Sequence, residues 1–193
     1  MPGFAAFKGT ILLSAAMLLS GAANRTAPLP VAPDDATERV AAALAQGDGG
    51  KTPALRQRAA NALAALGARP ADASVIDVVK LWSRTDHRGS SARRVYRGRI
   101  LGPIYRQGSV SPHQAAITEQ LFLGGQPASL SVSPTRGGQL DLVVREMGGQ
   151  AVCNAVVRQP AATCRWSPTY SARYQIEIRN SGASPSRYFL AMD

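Results

Sequence analysis

The sequence predicts a mainly β protein: an antiparallel, jelly-roll-like β-sandwich preceded by a short helical N-terminal segment. From about Ala115 onward, apolar side chains recur at every second position in short runs separated by Gly-, Pro- and Asn-containing turns. Between residues 34 and 83 they recur at helical spacing behind capping residues. A strand that can bury only one face needs a second sheet against it, so six or seven such strands imply a sandwich.

The chain opens with a leader-like segment over residues 1–23. Lys8 precedes the apolar run Thr10–Leu19, and Ser20-Gly21-Ala22-Ala23 supplies small residues one and three positions before a cut. The run is about ten residues, too short to cross a bilayer of roughly 30 Å as a helix. A cleaved signal peptide is therefore expected, with periplasmic or secreted localisation and no transmembrane segment after cleavage. Residues 24–33 contain Pro28, Pro30 and Pro33 among small residues and read as an extended linker.

The helical segment, residues 34–83, divides into three pieces. Asp34 or Asp35 caps the first, with Glu38 close behind, and Val40, Ala41, Leu44 and Ala45 form its apolar stripe before Gly47 to Gly50 end it. Thr52 caps the second and Pro53 takes its first position, where a missing N–H costs nothing. Leu55, Ala59, Ala62, Leu63 and Leu66 form the expected inward face, and Gly67 closes it. A third runs from about Ala73 to Trp82 with Asp72 or Ser74 as cap and Val75, Ile76, Val79 and Trp82 inward, although its β-branched content also suits a strand.

Residues 84–108 carry seven arginines against one acid, Asp86, and read as an Arg-rich connector lying over the domain that follows. The sandwich is expected over residues 109–193. Alternation is clearest at Ile117–Leu123, Leu140–Val144 and Tyr174–Ile178, with turns at Gly124-Gly125, Gly137-Gly138, Gly148-Gly149 and Asn180-Ser181-Gly182.

In an exported chain, Cys153 and Cys164 are most simply a structural disulfide, placed around the turn-like Gln159–Ala162 in what reads as a hairpin region. No C-x-x-C redox motif is present.

The stretch from about Leu101 to Asp193 resembles the bacterial pre-peptidase C-terminal β-sandwich domain and its periplasmic relatives. The resemblance is carried by Glu119-Gln120-Leu121-Phe122-Leu123 with the following Gly-Gly, and by Leu140-Asp141-Leu142-Val143-Val144. The cysteine pair, Trp166-Ser167-Pro168, Tyr174-Gln175-Ile176-Glu177-Ile178, Asn180-Ser181-Gly182 and Arg187-Tyr188-Phe189-Leu190 add to it. It implies a non-catalytic appendage associated with secretion, substrate binding or stability. Some members bind calcium through clustered acids. Here Gln139 stands where a further acid is common and Asp141 has no acidic neighbour, whereas calcium takes six to eight oxygens. No metal or other cofactor is expected.

No catalytic constellation emerges either. His87 and His113 are the only histidines and read as loop residues, no serine sits in a G-x-S-x-G elbow, and, apart from Asp34 and Asp35 at a helix start with Glu38 behind them, the twelve acids are scattered. The net charge of +10, with nineteen of 22 basic residues arginine, favours anionic partners. Arg93, Arg94, Arg97 and Arg99 are a candidate anion-binding surface, since guanidinium groups make paired contacts with oxyanions. Specific nucleic-acid binding is not expected, as no recognition motif is present. Trp166 and Tyr170 flank Pro168 beside the disulfide and read either as an aromatic platform for a sugar or peptide, or as core shielding the sulfurs. The leading expectation is a non-enzymatic exported protein that binds or scaffolds at the cell envelope, its partner an envelope protein or polysaccharide. An exported hydrolase with an unrecognised site and an electrostatic binder working through Arg84–Arg106 are the alternatives.

Overall fold

In the computed structural model, the described residues are 35–83, 102–136 and 139–193, all within one compact unit, Ala32–Asp193. Residues 1–34, which hold the expected signal peptide and all of the linker, and residues 84–101 of the Arg-rich connector lie outside them. The described residues form three helices, α1 (Ala36–Gly49), α2 (Pro53–Ala65) and α3 (Val78–Ser83), and nine strands. The strands are β1 (Arg69–Pro70), β2 (Ile104–Val110), β3 (Ala115–Phe122), β4 (Ala128–Arg136), β5 (Leu140–Glu146), β6 (Ala151–Val157), β7 (Ala162–Trp166), β8 (Ala172–Asn180) and β9 (Ser186–Met192).

Two sheets face each other, one in the order β1-β2-β9-β4-β7 and the other β3-β8-β5-β6. Leaving out the two-residue β1, this is the strand order of a jelly roll, and every pairing among β2–β9 is antiparallel. The interior is filled by alternate residues of both sheets. Leu130 and Val132 of β4 and Leu190 and Met192 of β9 meet Leu142 and Val144 of β5 and Ile176 and Ile178 of β8. Asn180 closes the β8–β9 turn as the sequence predicts. Its side-chain amide donates to the Val110 and Ser184 carbonyls (3.2 and 2.7 Å), and its side-chain oxygen accepts from the Gly182 N–H (3.0 Å).

A second core lies on the other face of the five-stranded sheet. Val40, Ala41 and Leu44 of α1, Ala59, Ala60 and Leu63 of α2, and Val78 and Trp82 of α3 pack with Tyr105, Phe189 and Ala191. The helices thus roof one sheet, giving three layers. The roof can sit close because β4 offers it only small hydroxyl side chains, Ser129, Ser131 and Ser133.

Four expectations are revised. The sandwich begins at Ile104 rather than 109, because the end of the Arg-rich stretch is strand β2, and Tyr105 within it is fully buried under the helices. The inward face of α2 is turned: Ala59, Ala60 and Leu63 are buried, while Ala62 is exposed and Leu55 is 46% exposed. The third helix is one and a half turns, Val78–Ser83, and Ile76 before it is exposed. Finally, Cys153 and Cys164 are joined, but β6 and β7 are not a hairpin. They are edge strands of opposite sheets, so the bridge staples the sandwich across its open side.

Candidate binding cleft

Three groupings of polar and aromatic side chains stand out, and each is built by a different element. The first lies under the N-terminus of α1. Asp35 caps the helix: one carboxylate oxygen accepts from the Thr37 N–H (2.7 Å) and hydroxyl (2.6 Å), the other from the Ser129 hydroxyl (2.6 Å) and Arg165 Nε (2.9 Å). The Thr37 hydroxyl also meets those of Ser129 (2.8 Å) and Ser131 (2.9 Å), and Ser131 continues to Thr163 (2.8 Å). Arg165 reaches Glu38 as well (3.2 Å). Burial by itself would raise the Asp35 pKa, but the hydrogen bonds from Ser129, Thr37 and Arg165 outweigh it and hold the carboxyl well below the usual range. Every member is paired to another across the contact between α1 and β4, so this network is a clamp between roof and sheet.

The second grouping is aromatic. Trp166 is half-buried and meets Phe122 edge-on at 4.7 Å and Tyr174 at 5.3 Å. It packs into the sandwich core beside Cys153 and Cys164. Tyr170 is 79% exposed, and the ring contacts of Trp166 are with Phe122 and Tyr174. The structure therefore separates the two residues that the sequence placed side by side: Trp166 packs against the core cluster that also holds the two cysteines, and Tyr170 faces solvent.

The third grouping is a recess. β1 pairs with β2 only at Ile104 and Tyr105, and the chain then turns through Asp72–Asp77 into α3. The gap between that turn and the rest of β2 is an open cleft of about 460 Å³, within the range of roughly 300–1,000 Å³ common for ligand sites. Its walls are Asp72, Ser74, Val75 and Ile76 on one side and Arg106, Gln107, Gly108, Ser109 and Arg187 on the other. Asp72 shapes the turn by accepting from the Ser74 hydroxyl and from the Ser74 N–H (2.9 Å). Those bonds and the Arg106 charge keep its carboxylate ionised, with the pKa lowered. Arg106 spans the end of the sandwich, donating to Asp72 (3.2 Å) and to Thr118 of β3 (3.2 Å), while its Nε is buried with no partner among the described residues. Gly108 is required here because a Cβ would lie 2.4 Å from the Tyr188 ring.

Neighbouring Tyr105 fixes the roof beside the cleft. Its hydroxyl accepts from the Val78 N–H (3.1 Å) at the start of α3. Burial pushes its pKa up to about 12.

Of the residues singled out from sequence, Arg93, Arg94, Arg97 and Arg99 lie outside the described residues. His113, Glu119 and Asp141 do not line the cleft: His113 is in the exposed β2–β3 loop, Glu119 is exposed on β3, and Asp141 accepts from the Ser181 hydroxyl (3.1 Å). Arg106, the connector arginine among the described residues, lines the cleft. Arg187, Ser74 and Gln107 carry no signal of a binding site in the sequence, where Ser74 reads only as a candidate helix cap, since only the fold brings β9, the 72–77 turn and β2 together. Among the described residues no group of three or more His, Cys, Asp or Glu could hold a metal ion.

No protein-family model matches the chain, and no curated protein matches it. Solved structures do. The chain is similar to the pre-peptidase C-terminal domain of a collagenase from Bacillus anthracis, at 12% identity over 46% of this chain and 87% of that one, TM-score 0.40. That domain is of the type the C-terminal stretch resembles in sequence. It is also similar to PliG of Aeromonas hydrophila, a periplasmic inhibitor of g-type lysozyme, at 15% identity, 51% and 91% coverage and TM-score 0.39. A third is the Yersinia pseudotuberculosis-derived mitogen, at 14% identity, 48% and 86% coverage and TM-score 0.40. At these values none carries an argument about what this chain does, and the fold is read from the sheet order itself.

Proposed function

We propose that this chain is a non-catalytic protein of the cell envelope whose β-sandwich binds an anionic partner at the β2-edge cleft. The observation that carries this reading is the composition of the recess: two arginines, a hydroxyl on each wall and a side-chain amide, with the one acid, Asp72, already paired to Arg106. Such a set can fix an anionic group by charge-assisted hydrogen bonds, and its one hydroxyl–carboxylate pair, Ser74 with Asp72, serves the 72–77 turn, with the carboxylate also held by Arg106. Export is supported by the leader-like residues 1–23 and by the Cys153–Cys164 bridge, which persists in an oxidising compartment. No helix among the described residues is long and apolar enough to cross a membrane.

The test is affinity isolation from envelope extract with the wild-type chain and with Arg187→Glu, a surface change that leaves both cores intact. A component retained by the wild type and released by R187E supports the reading. Equal retention by both, or turnover of envelope substrates by the purified chain, contradicts it.

A further inference from the structure

We propose that the free edge of β2, from Arg106 to Ser109, receives an extended acidic segment of a partner protein as an added strand. The inference rests on the binding reading above and names the partner's chemistry. The Tyr105 carbonyl accepts from the Ala71 N–H at 2.9 Å, so the peptide groups of Tyr105 point toward the β1 side. In a strand, the backbone groups of residues two apart point the same way. Gln107 and Ser109 therefore aim their N–H and C=O groups into the cleft. β1 stops at Pro70, and beyond it no described residue supplies these groups with a backbone partner.

An edge left open in this way is a template for another chain, and natural strand-addition sites combine main-chain pairing with alternate side-chain pockets. The side chains along this edge specify what the added strand must carry. Arg187 lies opposite Ser109 on the roofed face of the sheet, and Arg106 turns inward toward Thr118. Adjacent residues of an added strand point to opposite faces, so neighbouring acidic side chains would meet Arg187 on one face and the guanidinium end of Arg106, which reaches Asp72, on the other. Ile76, 59% exposed on the far wall, offers an apolar contact between them. A second copy of this chain is disfavoured, because it would set Arg106 and Arg187 against their own counterparts. An anionic polysaccharide would satisfy the guanidinium groups but not the ordered donors and acceptors of Gln107 and Ser109.

The test is fluorescence anisotropy of a labelled Thr-Val-Thr-Glu-Glu-Val-Thr peptide, whose adjacent acids point to opposite faces of a strand, with the purified full chain, compared with the same peptide bearing Lys for Glu and with polygalacturonate as competitor. Saturable binding of the acidic peptide alone is expected, weakened about fivefold by Arg187→Gln and at least tenfold by Ser109→Pro. The proline removes an edge-facing N–H without touching the β9 ladder. In the wild type, the Gln107 and Ser109 amides should exchange with deuterium more slowly when the peptide is bound, a readout independent of how the proline variant folds. No binding, binding indifferent to S109P in a folded protein, or displacement by polygalacturonate with no amide protection overturns the proposal. If any of these occurs while Arg187-dependent capture from envelope extract persists, strand addition alone is wrong. If that capture is lost too, the binding reading falls with it.

Discussion

Asp35 shows how one residue can serve both a helix and the surface beneath it. A cap that only satisfied the first turn would be worth about 1 kcal/mol, but this carboxylate also accepts from Ser129 and Arg165. Asp35→Ala should therefore cost about 2 kcal/mol in urea unfolding at pH 7, because buried hydroxyls lose their acceptor. The pH dependence follows from the lowered pKa. The stabilisation is fully present above the unfolded carboxyl value of about 3.9, and is lost as pH falls through the lower folded value. The stability gap between the wild type and Asp35→Asn should thus narrow steadily below about pH 4. Tyr105 gives the opposite case. Its pKa is raised by burial, so its contribution holds below about pH 10 and is lost as pH rises toward about 12. Tyr105→Phe should cost about 1 kcal/mol at neutral pH by orphaning the Val78 N–H.

At the scale of elements, signals confined to a few neighbouring residues were readable and signals made by packing were not. The Asp35 and Thr52 caps and the Asn180 turn are local chemistry, and each stands where the sequence puts it. β2 was hidden because Arg106 and Gly108 occupy positions that alternation would make apolar. They do so because this strand ends the sandwich, where Arg106 reaches solvent and Tyr188 needs the space of Gly108. The α2 face was misplaced by one helical step because its alanines fit either side, and only contact with α1 and α3 decides. The eleven-residue separation of the cysteines suits a hairpin or an arch equally well. As an arch it ties the edges of two sheets, and replacing both cysteines by alanine should lower stability by about 3 kcal/mol, measured by chemical unfolding under non-reducing conditions. Gly47 lies against the Trp82 ring, with a Cβ position 2.2 Å away, so Gly47→Ala should separate α1 from α3. Loss of Trp82 fluorescence burial, with the jelly-roll strands still protected from amide exchange, is the expected sign.

For the molecule as a whole, the consequence of the roof is an asymmetric surface. One sheet has part of its outer face covered by helices, while the other leaves Ile117, Leu121 and Val156 half or more exposed among charged neighbours. The cleft sits where the roof ends, at a sheet edge that no described residue completes. Fold class was legible in the sequence because period-two alternation dominates β3, β5 and β8. The cleft was not, because it is assembled from residues as far apart as Ser74 and Arg187. Whether a partner protein occupies the β2 edge can be read by photo-crosslinking in living cells, with the crosslinking amino acid placed at Gln107 in one variant and at Ile117 in another. The account predicts a discrete adduct with a partner protein from position 107, abolished by R187E, and none from position 117. An adduct from 117 alone, or none from 107, would contradict it.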